Sequence, residues 1–405
     1  MARILFVAND FPYPPDHGAA VDMWNRISIL KRLEFAVDLV ATVKSYPTQE
    51  HINLMRRYVH DLWIVERNRG LSAVLTLDPF QVRSRSALRN VALKQFYDVV
   101  LMQTEYVAPI LENVHLNAKA LVLRVDNDEA RYFKEMSKSA NRWKDRYFYL
   151  TEALKFQRFS AQVKSRCDLL WFASDWEKRD HVQNHPEDSR KAVFFPPDPG
   201  ISEMRPYSRS GEGVLFIGTL TIPFNLEAVK WYLEHVHPEL SNLEGYTLTV
   251  AGRTDATALS LLRKMSREYS NVHLCPDPQE LDGLYRQAAV FINPVRRGAG
   301  IKVKTIHALR SGLPVVATSI GMEGTGLTDG THLLVADSAG DFVRGVSTLL
   351  QNRLFGESLV QSAQSFLART YNQEHNIRQS LSSILPNESS ITERTIAANH
   401  PMAVK

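Results

Sequence analysis

The chain has 405 residues, 44% hydrophobic and 23% charged, and its 48 Lys and Arg against 44 Asp and Glu leave a net charge of +4. That length carries two domains with full cores, and the composition is that of a soluble globular protein. So small a net charge argues against a dedicated nucleic-acid binder, and no apolar run reaches membrane-spanning length.

In chain order, residues 3–8 read as a buried strand, followed by a Pro-rich loop at 9–20 and an amphipathic helix at 21–33. Further strands are expected at 37–43, 62–65, 99–103, 120–125, 169–173 and 192–195. Continuous apolar runs separated by helical stretches predict a parallel sheet covered on both faces. Residues 131–166 hold ten Lys or Arg against three acids, with eight aromatics interleaved. They predict either a solvated helical hairpin or an interfacial surface for anionic lipid or a lipid-linked acceptor. No nucleic-acid recognition motif accompanies them.

The series pauses at 195–213, where Pro196-Pro197-Asp198-Pro199-Gly200 can continue neither a helix nor a central strand. The domain boundary is placed there, giving a first domain of 1–197 and a second of 198–370. The pattern restarts with strands at 214–218, 247–251, 272–275, 290–293, 315–318 and 333–335. Helices are expected between them at 225–240, 256–269, 280–288 and 302–311, and again from 340 to about 385. Residues 387–405 are polar, lack periodicity and are expected to be a disordered tail. Cys167 and Cys275 lie far apart in apolar contexts and fit buried thiols of a reducing compartment. The start of the chain is too short and strand-like for a signal peptide. The expected location is cytoplasmic, with any membrane contact peripheral.

The most informative stretch is 290–318, VFINPVRRGAGIKVKTIHALRSGLPVVAT. A strand, a basic Gly-interrupted loop, a helix start bearing Lys302 and Lys304, and a second strand follow in order. Lysines oppose the positive end of a helix dipole, so a pair there beside free glycine amides fits a bound anion. The bland alternative is a solvated basic turn.

This stretch, with Gly312-Leu313-Pro314-Val315-Val316 at its end, resembles the donor-binding signature of retaining GT-B glycosyltransferases, family 4 type, also described as glycosyltransferase group 1. The usual glutamates spaced eight apart are Ala299 and His307 here. A subset of the family has Gly-x-Gly-x-(Lys/Arg)-x-Lys in place of the first, as at Gly298–Lys304. The resemblance implies an α/β GT-B fold, two Rossmann-like doubly wound domains with an interdomain cleft. It also implies that a final helix, 371–386, packs back on the first domain. The implied reaction is sugar transfer from a nucleotide diphosphate-sugar to a hydroxyl of a glycan or lipid-linked glycan, with retention and without a metal cofactor. The departing diphosphate would help take the acceptor proton. The implied setting is polysaccharide or glycoconjugate biosynthesis at the inner face of a membrane.

On the donor side, the resemblance places Gly218 and Thr219 against the phosphates. The family's Arg and Lys of that loop are absent, so the charge is expected from Arg253, Lys302 and Lys304. Gly298, Gly300, Ile301 and His307 complete the signature loop and helix, and Asp277 lies in the base-holding stretch, where it would also serve as a helix N-cap. In the first domain Gly18, with Ala19, stands for the family's Gly-Gly, and His17 is a candidate base or a solvated loop residue. Asp126, Asn127 and Glu129 line up with a His-Asn-x-Glu of relatives, which makes Asp126 and Asn127 acceptor-side candidates; Glu105 has a similar strand-end place. Asp126 and Asp128 also mimic an Asp-x-Asp metal motif, discounted because it lies far from the donor signature. The catalytic set is Asp126, Lys304 and Arg253. The alternatives are a sugar-nucleotide epimerase on the same fold, for which no acid/base pair is evident, and a degenerate glycan-binding scaffold. A dehydrogenase is disfavoured because no Gly-x-Gly-x-x-Gly follows the first strand.

Overall fold

A computed structural model describes residues 2–16, 18–68, 77–140, 142–198, 204–207, 211–298 and 300–385. The expected tail at 387–405, His17 and Ala299 lie outside the described residues. The chain divides into two compact units. The first takes Met1–Phe172, His181–Asp198 and the chain from Asn372; the second takes Ala173–Asp180 and Pro199–Tyr371.

The first unit is built on a parallel sheet of β1 (Arg3–Ala8), β2 (Ala36–Val43), β3 (Leu62–Glu66), β4 (Phe96–Gln103), β5 (Asn117–Val125), β6 (Leu169–Phe172) and β7 (Ala192–Phe194). Its strand order is β3-β2-β1-β4-β5-β6-β7. Successive side chains of β1 enter opposite cores, as the period of two requires. Ile4 and Phe6 pack with Met23, Ile27 and Leu30 of the Gly18–Arg32 helix and with Ile377 and Leu381 of the Gln373–Ser382 helix. Leu5 and Val7 join Val100, Leu123, Leu170 and Val163 on the other side. Burial on both faces is why these strands are continuous apolar runs.

The second unit repeats the plan with β8 (Val214–Ile217), β9 (Leu248–Gly252), β10 (Val272–Pro276), β11 (Val290–Asn293), β12 (Val315–Ala317) and β13 (Leu334–Val335), in the order β10-β9-β8-β11-β12-β13. Phe216, Val250 and Ile292 pack with Val229, Tyr232 and Phe342. In both sheets the first strand has the second on one side and the fourth on the other. The order reverses there, and the crevice at the carboxyl ends of those strands is where such sheets take ligands.

The helix expected at 225–240 starts earlier and breaks, giving Pro223–His235 and His237–Leu240. Pro223 suits a first turn, whereas Pro238 has no N–H to continue the ladder. Residues 131–166 form helices Glu129–Ser139 and Trp143–Ser165, packed against each other. The helical stretch from 340 resolves into Ala339–Gln351, Arg353–Thr370 and Gln373–Ser382. Asn352 and Asn372 divide it, each accepting a backbone N–H as the next helix's N-cap. Among the described residues no helix is long and apolar enough to cross a membrane.

Candidate functional site

In the second unit the carboxyl ends of β8, β9 and β10 are tied together by backbone contacts. The Gly218 N–H donates to Ala251 O (3.0 Å), Leu220 N–H to Arg253 O (2.7 Å) and Asp277 N–H to Gly252 O (3.0 Å). A Cβ on Gly252, whose φ is +137°, would lie 2.0 Å from Gly218 O, so only glycine lets these strand ends meet. Asp277 holds a left-handed φ of 46° and accepts from Thr254 N–H at 3.2 Å. It is not the helix cap expected of it, because the next helix begins only at Asp282.

Lys304 enters this edge from the first turn of the Val303–Arg310 helix. A Cβ on Gly218 would lie 2.9 Å from Lys304 Nζ, so the bare glycine backbone makes room for the ammonium. Nζ donates to Asn225 Oδ1 at 2.7 Å and sits 4.7 Å from the Phe216 ring centroid. Asn225 is 4% exposed and its Nδ2 donates to Thr219 O at 2.9 Å. Burial, with Lys302 adding repulsion, pulls Lys304 from 10.5 down to about 7.

Lys302 has a different task. Its buried ammonium donates back to Gly300 O (2.6 Å) and Gly298 O (3.3 Å), both glycines having positive φ. It staples the loop carbonyls while remaining close enough to repel the Lys304 ammonium. Arg253 is exposed at the end of β9. His307 is half-buried one turn beyond Lys304 on the same helix. Ile301 lies under Gly324, where an added Cβ would come 3.3 Å from Ile301 Cα. Asn293, fully buried, donates to Thr305 Oγ1 (3.0 Å) and Gly321 O (2.8 Å), locking the helix onto the end of β11.

In the first unit Gly18 opens the helix after β1. Asp126, after β5, accepts from Arg124 Nε (2.9 Å) and Gln103 Nε2 (2.7 Å). Behind it lie Arg26 and Asp22. Arg26 donates to Gln103 Oε1 at 2.6 Å and is paired with Asp22, which also lies 3.5 Å from Arg124 Nη2. Arg26 and Arg124 sit beside the stacked rings of Trp171 and Phe195. Burial raises the Asp126 carboxyl, against the opposing pull of Arg124. Its side chain stays 22% exposed, the most open carboxylate of this network.

One expectation needs correction. Glu105 is 2% exposed, and its carboxylate faces Ser160 Oγ (2.9 Å) and Lys164 Nζ (3.5 Å) on the Trp143–Ser165 helix. It fastens a helix and leaves the acceptor-side set. Asp128 accepts from Arg131 N–H at 3.0 Å as an N-cap, so it does not pair with Asp126 in a metal motif. No group of three His, Cys, Asp or Glu among the described residues is arranged to hold a metal. Asn127 is half-buried beside the cap.

Sequence reasoning passed over Asn225, Gln103, Asp22, Arg26 and Arg124. Arg124 carried a signal, since a lone arginine in the apolar run of β5 must find partners. Asp22 and Arg26 were visible as an i, i+4 pair.

A family model described as "Glycosyl transferases group 1" matches residues 211–352. An "uncharacterized 44.6 kDa protein in cps region" of Klebsiella pneumoniae is 32% identical over 385 residues, spanning 92% of this chain and 97% of that protein. Sucrose-phosphate synthase from Thermosynechococcus elongatus matches with a TM-score of 0.63 at 12% identity, covering 98% of this chain and 100% of that one. A variant of TarM from S. aureus, solved with fondaparinux, alpha-GlcNAc-glycerol and UDP, matches with a TM-score of 0.65 at 10% identity over 95% of this chain and 99% of that one. At such identities the likeness to both solved structures is one of fold.

Proposed function

The chain belongs to the group 1 glycosyltransferases and has the GT-B fold, and from that premise we propose that it transfers a sugar from a nucleotide diphosphate-sugar to a glycan hydroxyl, with retention of configuration, in the assembly of a polysaccharide or lipid-linked glycan. The observation that carries this reading is the Lys304 ammonium lodged against the bare backbone of Gly218. A cation at the switch point of a doubly wound sheet is placed to hold the diphosphate and to stabilise the charge that develops as it leaves. Arg253 supplies a second, solvent-facing charge from the end of the neighbouring strand. Asp126 is the acceptor-side carboxylate of the proposal, each oxygen fixed by one bond from Arg124 or Gln103, with its exposed edge left to orient a hydroxyl. UDP in the S. aureus TarM complex is a precedent for the donor class, and the cps region of the Klebsiella protein for the polysaccharide setting. Cys167 and Cys275 are both free thiols, in keeping with a cytoplasmic site of action.

The transfer is proposed to need no metal, because lysine and arginine supply the positive charge. The test is a thermal-shift screen of UDP, GDP, dTDP and CMP, followed by donor turnover with and without EDTA. Stabilisation by one nucleotide diphosphate and turnover that survives chelation are expected. No stabilisation by any nucleotide together with no turnover leaves a non-catalytic glycan-binding protein.

A further inference from the structure

The Trp143–Ser165 helix has two apolar faces. One is spent on the fold: Phe156 stacks on Phe133 at 5.4 Å, Tyr149 lies 6.1 Å from the same ring, and Val163 enters the sheet core. The other is uncovered. Trp143, Tyr147, Leu150 and Leu154 are 75%, 67%, 43% and 67% exposed.

Their spacing of four, three and four residues puts them in one stripe within roughly 60° of helical arc, opposite the packed face. The same geometry sets Arg146 at one margin and Arg158 at the other, with Lys144 beside the stripe; all three are exposed. The helix has two acids, Asp145 and Glu152, and both project from the far side. Exposed apolar residues scattered singly are ordinary, but a continuous row of this kind marks a surface that meets something.

The chemistry of the row selects the partner. Trp and Tyr seat at the boundary between headgroups and acyl chains, leucines enter the acyl region, and arginines at the margins reach phosphate. Cations on both margins, with no acid on that face, complement a surface that is negative throughout. We infer that this stripe seats the protein peripherally on an anionic phospholipid bilayer. The inference stands on the helix alone and does not depend on glycosyl transfer.

The experiment is sedimentation of the full chain with vesicles of phosphatidylcholine containing roughly one-quarter phosphatidylglycerol, and with phosphatidylcholine alone. The protein pellets with the anionic vesicles, less with the neutral ones, and less as salt is raised. Trp143→Ser/Leu154→Ser and Arg146→Glu/Arg158→Glu each lower the partition coefficient about tenfold or more, with unchanged melting temperature and nucleotide binding. A wild-type chain that stays in the supernatant with both vesicles overturns the inference, as do variants that pellet like wild type. A dimer that Trp143→Ser dissociates, without vesicle binding, assigns the stripe to a second copy of the chain.

Discussion

Lys304 Nζ and Asn225 Oδ1 are 2.7 Å apart although the residues are 79 positions apart in sequence. Asn225 holds the cation with one arm and, with the other, the carbonyl of Thr219 in the turn after β8. One buried amide thus fixes both the charge and the backbone proposed to face the donor diphosphate. Asn225→Ala should leave the ammonium without its hydrogen bond, and nucleotide diphosphate affinity should fall about tenfold. Asn225→Asp should weaken binding further, because a carboxylate in that place competes with phosphate for Lys304. Lys304→Ala and Arg253→Ala should each cost roughly 1.5–3 kcal/mol of diphosphate binding through the lost charge-assisted contact. Lys302→Ala should instead lower stability, since its ammonium satisfies Gly298 and Gly300. Calorimetry on the variants decides: wild-type affinity in Asn225→Ala and Lys304→Ala alike removes this edge from the donor site.

Proton linkage gives an independent reading of the same cation. Lys304 is pulled from 10.5 to about 7 by burial and by Lys302. A cation whose folded value lies below its unfolded value costs stability while it is charged. That cost is fully present below about 7 and is relieved as pH rises towards 10.5. A bound diphosphate favours the ammonium and raises the value again, so binding above pH 7 takes up a proton. Affinity should then fall as pH rises from 7, by up to about tenfold per unit. Titrations at about pH 8 in two buffers of different ionisation enthalpy should show heats that differ. The difference should vanish in Lys304→Ala. Equal heats in the wild-type protein contradict the assignment.

The strands were legible because burial on both faces forces continuous apolar runs, and residues 99–103 and 290–293 read as strands from those runs alone. The break at Pro238 was also written in the sequence, although the apolar periodicity around it reads straight through. What sequence could not supply was direction. Lys302 and Lys304 look alike on paper, yet one folds back on loop carbonyls and the other reaches a glycine that precedes it by three strands of chain. Asp277 looks like a helix cap, but its left-handed turn aims its carboxylate at Thr254. Asn225 carries no local mark of function at all; its task exists only once Thr219 and Lys304 flank it.

The buried ions of the first unit invite a stability test. Arg26 is 1% exposed and serves Asp22 and Gln103 at once. Arg26→Met keeps the volume and removes the charge, leaving Asp22 with Arg124 at 3.5 Å and a backbone hydrogen bond from Asp198. Breaking a buried pair from one side costs about 3–5 kcal/mol, because the surviving charge stays desolvated. Arg26→Met/Asp22→Leu removes both partners and should recover part of that loss. Denaturant unfolding of the single and double variants measures both; a single variant as stable as wild type would mean the network contributes nothing to the fold.

His307 stands where the family signature that this stretch resembles has its second glutamate, on the turn of helix after Lys304. An imidazole in that place can donate to a ribose or sugar hydroxyl, where a carboxylate could only accept. It is also half-buried, so a purely structural role beneath the loop is the competing account. The two accounts separate in a pair of variants. If His307 contacts donor, His307→Ala lowers donor affinity, while His307→Glu changes the preferred sugar nucleotide or restores part of the turnover. If it only packs, His307→Ala lowers the melting temperature and leaves the donor affinity and turnover of the folded fraction at the wild-type level. Donor titrations and turnover with a panel of sugar nucleotides are the measurement. We expect the first pattern, because Lys304, proposed to hold the diphosphate, lies one turn away on the same helix.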